Sequence, residues 1–100
     1  MLQHYVLIKF KKDTTEEHVA EFCKRMLALQ TTIPNIEHLE IGLDILHDAR
    51  SWDLILIMRF GSTDALRNYQ QHPDHLSVMA FNQPSVADVA SVDFESSQDL

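Results

Sequence analysis

With a single cysteine, Cys23, the chain cannot close a disulfide within itself. A reducing compartment is the natural setting, and the apolar residues spaced around Cys23 make it a packing residue. Two glycines and three prolines in 100 residues, with no biased segment and no internal repeat, argue against disordered and repetitive architectures. Basic residues are few: eight Lys and Arg stand against fifteen Asp and Glu, for a formal charge of −7. Dispersed cations under a negative balance exclude nucleic acid as a partner, and an anionic membrane surface with it. No apolar run approaches the ~20 residues of a membrane span. The opening "MLQHYVLIKFKK" has too short an apolar run and the wrong charge order for a signal peptide. The expected location is the cytoplasm.

What is present is a well-mixed apolar complement, 45% of the chain. A chain of this length buries roughly 65% of its unfolded surface, enough for one modest core and no second domain. The domain is expected over residues 1–95, with "SSQDL" at 96–100 as a polar tail.

Along the chain, His4, Val6, Ile8 and Phe10 alternate with Tyr5, Leu7 and Lys9, the period of a strand. "TTEE" then supplies a capping box with Thr14 as cap and Glu17 as its partner. The helix it opens carries Val19, Phe22, Cys23, Met26 and Leu27 on one stripe and ends before Pro34. A second strand follows, with Leu39, Ile41 and Leu43 in alternation, and a loop through His47 and Arg50 leads to a third, "WDLILIMRF". That strand is apolar on both parities, as a central strand is. The helices can cover only one of its faces. Tyr5 and Leu7 of the first strand and Ile55 and Ile57 of the third are left for another cover, and a second copy of the chain is the economical one.

Ser62 or Thr63 caps the next helix, whose Ala65, Leu66, Tyr69 and His72 share a side. Pro73 stops it. Asp74 is placed to cap a short further helix with His75, Leu76, Met79 and Ala80 as its stripe, and "ADVASVDFE" forms a last strand. Strand, helix, strand, strand, helix, strand is the ferredoxin-like order, an α+β fold with a four-stranded antiparallel sheet.

The segments "HYVLIKFK", "IPNIEHLEIG", "WDLILIMRF", "YQQHPDH" and "VDFE" together resemble the stress-responsive A/B-barrel (Dabb) family over about residues 2–95. The resemblance implies a homodimer whose two sheets pair into an α/β barrel. Its members include plant stress proteins and the polyketide cyclase that makes olivetolic acid. From that cyclase the resemblance carries a catalytic tyrosine and histidine onto Tyr69 and His75, and a pocket-lining histidine onto His4. The implied pocket wall consists of His4, Val6, Ile8, Leu54 and Leu56 from the strands, Phe22 and Met26 from the first helix, His72 and Met79 near the helix break, and Val86. Two positions depart from the cyclase: Leu54 stands where it has a histidine and Met26 where it has a tyrosine, so the wall here is more apolar.

His75 would act as general base beside a carbonyl and Tyr69 as donor to the developing enolate oxygen, without a cofactor. The implied function is binding a small apolar carbonyl or phenolic metabolite, with cyclase- or lyase-like proton transfer as a further step. The alternative is a non-catalytic stress-response or assembly module whose dimer is the functional unit. In that case Tyr69 is a core residue tied to its neighbours and "HPDH" a capped helix break. His72, Asp74 and His75 form only a weak metal pattern, and no metal is expected. His18, His38 and His47 read as solvated.

Overall fold

The structure, a computed structural model, describes residues 1–97; residues 98–100 of the expected tail lie outside the described residues. Strand β1 (Leu2–Phe10) leads through helix α1 (Glu16–Thr32) to β2 (His38–Leu43) and β3 (Leu54–Phe60). Helices α2 (Thr63–Gln71) and α3 (Pro73–Asn82), a 3₁₀ turn (Gln83–Ser85) and β4 (Val86–Glu95) complete the fold. The sheet is antiparallel in the order β2-β3-β1-β4, which is the ferredoxin-like arrangement.

β1 begins two residues earlier than its alternation indicates, because Leu2 and Gln3 find partners on both sides, in Phe60 and Arg59 of β3 and in Glu95 and Phe94 of β4. β3 begins two residues later than "WDLILIMRF" indicates. Asp53 leaves the ladder to donate its N–H to the Ile8 carbonyl and to accept the Phe10 N–H on its carboxylate.

Phe22, Met26, Ile33, Met58 and Phe60 are wholly buried where α1 lies on the sheet. The buried line along α1 is Phe22, Met26 and Leu29, continued by Ile33; Leu27, expected on it, is exposed. Steps of four and three stay on one helical face, whereas one residue past Met26 turns about 100° away. The cap of α1 is Thr15, whose hydroxyl accepts from the His18 N–H at 3.1 Å. Thr14, expected in that role, donates its hydroxyl to the Ser85 carbonyl instead, so a contact distant in sequence displaces the local capping box.

The other face of the sheet has no helix on it. Tyr5, Leu7, Ile55 and Ile57 lie there half-buried, and Val92 and Phe94 of β4 extend the patch, Phe94 meeting the Tyr5 ring edge-on at 5.5 Å. Among the described residues no helix is long and apolar enough to cross a membrane.

Candidate functional site

The stretch "NYQQHPDH" spans the break between α2 and α3. Pro73 has no N–H to continue α2, yet its fixed φ suits the first position of a new helix. His72 serves both ends: it closes α2, and its Nδ1 accepts the Asp74 N–H at 3.1 Å as the N-cap of α3. The cap expected at Asp74 is therefore supplied two residues earlier, and His72 does not face the cavity described below. His72→Ala removes one cap, which is worth about 1 kcal/mol. We expect its melting temperature to fall by roughly 4–8 °C with ligand binding unaltered, as read by thermal unfolding and titration of the same samples.

His75 is held differently. Its Nδ1–H donates to the Gln70 carbonyl at 3.1 Å, across the break, which leaves Nε2 with its lone pair. Its ring lies 4.3 Å from that of Tyr69, which also packs on Phe60 at 5.2 Å. Burial holds the His75 imidazole below its ordinary value of 6.5, against the bond to Gln70, with the nearby His4 and His72 adding to the depression. A depressed imidazole stays neutral in the fold while the unfolded chain takes up a proton. Its contribution to stability is thus present above pH 6.5 and lost as pH falls through the folded value. The expected NMR titration midpoint of His75 lies below 6.5, and His75→Gln should flatten the acid loss of stability. A midpoint at or above that value would mean a solvated ring.

Tyr69 is 2% exposed, and its hydroxyl has no hydrogen-bond partner among the described residues. Burial pushes its phenol well up, so it remains a proton donor. The third imidazole comes from β1. His4 is buried edge-on to Phe60, and its Nδ1 is bonded to the carboxylate of Asp93, its register partner on β4. With that nitrogen spent on Asp93, Nε2 of His4 is left without a hydrogen-bond partner among the described residues.

These groups line a cavity of about 300 Å³ between sheet and helices, at the small end of the range for ligand sites. Of the wall expected from the sequence, His4, Val6, Ile8, Leu56, Tyr69, His75, Met79 and Val86 come together there. Phe22 and Met26 do not, being sealed in the core with no exposed surface. Leu54 lies in a separate recess with Leu7 and Trp52.

Asn82, Gln83 and Val89 complete the wall, and none of them was expected. The buried residues of α3 are Val78 and Asn82, while Leu76 and Ala80, expected inward, are exposed. Asn82 stands seven residues after His75 and so shares its face, but a polar residue hides in an apolar stripe. Asp93 carried a signal as well, an acid on the inward parity of β4. His18, read as solvated, is instead stacked on Phe81 at 4.6 Å and bonded through Nε2 to Asn82 Oδ1 at 2.8 Å. His38 is partly exposed and His47 largely so, each near a carboxylate, Glu40 and Asp44 respectively.

No group of three His, Cys, Asp or Glu among the described residues is arranged to hold a metal. A larger, more open groove of about 630 Å³ lies where β1 ends, beside Lys11, Lys12, Asp44 and Asp53. Its two aspartates are engaged by the His47 and Phe10 N–H groups, and among the described residues no buried side chain is left without a partner there, so the smaller cavity is the better candidate site.

The sequence profile of the family described as Stress responsive A/B Barrel Domain matches residues 2–96. Olivetolic acid cyclase of Cannabis sativa is 27% identical over 77 residues, which are 75% of this chain and 76% of the cyclase. A dimeric ferredoxin-like protein of unknown function from Thermobifida fusca superposes with a TM-score of 0.86 at 26% identity, over 95% of this chain and 90% of that one. A second dimeric protein of ferredoxin-like fold and unknown function, from Bacteroides fragilis, gives 0.80 at 25% identity over 95% of each.

Proposed function

Since the chain belongs to the stress-responsive A/B barrel domain family, we propose that it is a homodimer that binds a small, largely apolar carbonyl or phenolic metabolite in the cavity beside Tyr69 and enolises it. The observation that carries this reading is the Tyr69 hydroxyl, buried, protonated and without an acceptor among the described residues, beside a neutral imidazole. A tyrosine kept for packing alone would normally have its buried hydroxyl bonded to backbone or side chain.

His75 Nε2 removes a proton from the carbon next to a ligand carbonyl. The C–H electron pair becomes a C=C bond, the carbonyl oxygen takes the negative charge, and the Tyr69 O–H donates to it. Once the proton on His75 has been traded with water, delivery of the solvent-derived one to the carbon completes an exchange. Where the ligand carries a second carbonyl, the enolate carbon attacks it and closes a ring as that C=O π pair moves to its oxygen, which takes the proton held on His75; this is the sense in which the likeness to a cyclase supports the proposal. His4, aimed by Asp93, supplies a second imidazole at the same wall. Homodimer formation is supported by the dimeric state of the similar structures and by the uncovered apolar face.

The test uses 4-hydroxyacetophenone in heavy water. The protein is expected to bind it and to accelerate replacement of its methyl hydrogens by deuterium, read by the loss of the methyl proton signal. His75→Ala should cut that acceleration about 100-fold, the lower end of what a positioned base contributes. A parent protein that neither binds the ketone at millimolar concentration nor speeds its exchange would sink the proposal.

A further inference from the structure

Asn82 ends α3 at 2% exposure, on a helix face otherwise given to Val78, Met79 and His75. Only half of its amide is accounted for. Its Oδ1 accepts from His18 Nε2 at 2.8 Å, while its Nδ2 has no partner among the described residues. The tie to His18 explains why a polar residue joins α1 to α3 here, and it is a rigid one. The imidazole is stacked on Phe81 at 4.6 Å with an interplanar angle of 13°, and Phe10 meets it edge-on at 6.2 Å. Phe81 in turn carries the Arg25 guanidinium 3.8 Å from its ring centre. None of this satisfies the NH₂ group. A buried donor left without an acceptor is disfavoured and rare in native proteins, so such a group calls for a partner. Asn82 lines the same cavity as Tyr69, whose hydroxyl is equally unpartnered. Two buried donors on one small wall, with no acceptor for either among the described residues, are complementary to a ligand oxygen.

We propose that Asn82 determines ligand specificity: its Nδ2 donates to a carbonyl oxygen of the ligand, and His18 is the positioning residue that turns the amide by holding its oxygen. The class selected is a ketone or ester in preference to a hydrocarbon or plain phenol of the same shape. The inference rests on the cavity being a ligand site.

The experiment compares 4-hydroxyacetophenone with 4-ethylphenol, which has nearly the same outline and no carbonyl. On the parent protein labelled with nitrogen-15, both probes should shift the His75 resonances. The ketone alone should move the Asn82 side-chain NH₂ signal downfield, and it should bind several-fold more tightly. Asn82→Leu should weaken the ketone about 3- to 10-fold, as for one lost neutral hydrogen bond, and leave 4-ethylphenol unchanged. His18→Phe, which keeps a ring on Phe81 and loses the donor, should reduce the same preference.

A folded Asn82→Leu variant that prefers the ketone as strongly as the parent does would overturn the assignment, as would an NH₂ signal that the ketone does not move. The second observation needs no variant and decides the matter even if Asn82→Leu does not fold. Binding of both probes with equal affinity and an unmoved NH₂ signal refutes the role of Asn82 alone. Failure of both probes to bind the parent removes the cavity reading, and this inference with it.

Discussion

Replacing Leu7 with lysine is expected to leave a monomeric or insoluble chain where the parent sediments as a dimer. Leu7 lies at the middle of the helix-free face, with Ile55 of β3 and Ala90 of β4 as its register partners. No acid stands opposite it. Ile57 would be a poorer test site, because Glu40 is its partner on β2 and could pair with an introduced ammonium. The next residue on the same side of β1 is Lys9, whose ammonium lies 5.4 Å from the centre of the Trp52 ring, so a second cation adds repulsion. In a two-fold dimer the substitution buries two unpaired ammonium groups, each carrying a penalty of several kcal/mol. A combined loss of about 5 kcal/mol or more corresponds to a dissociation constant raised over a thousandfold. Sedimentation at micromolar concentration reads the outcome directly. A parent that runs as a monomer, or a variant that dimerises as the parent does, would remove the sheet face as the interface.

Tyr69→Phe is expected to separate stability from function in opposite directions. The hydroxyl it removes has no partner among the described residues, so the folded state gives up no bond and sheds a buried polar group. The melting temperature should hold or rise by a few degrees, since about 1 kcal/mol moves a domain of this size by roughly 4–8 °C. Deuterium exchange into the bound ketone should meanwhile fall about 100-fold, the scale on which losing one donor to a developing oxyanion is felt. The parent's phenol, raised by burial, remains a donor across the working range, so the loss should not depend on pH on the alkaline side. The contrary result is a variant that melts markedly lower and exchanges the probe as the parent does. Tyr69 would then be a packing residue, and the function would have to be sought in the dimer as an assembly unit.

Much of this protein is written locally in its sequence. Alternation placed β1 and β2, the double apolar parity of "LILIM" marked β3 as central, and the spacing of Phe22 and Met26 set the buried face of α1. Pro73 marked the break that brings Tyr69 and His75 into range of one another. These features depend on the period of a strand or helix and on a missing N–H, and neighbouring residues suffice to specify them. What only the tertiary structure decided depends on register and docking between distant segments. The Ser85 carbonyl draws Thr14 away from the cap of α1, and the pairing of β1 with β4 sets Asp93 against His4. The docking of α3 on α1 turns His18 from a surface residue into the anchor of Asn82, and the seating of α1 on the sheet seals Phe22 and Met26 away from the cavity. A single polar residue on an apolar stripe has no local signature of its purpose, because the partner that gives it meaning lies 64 positions away in the chain.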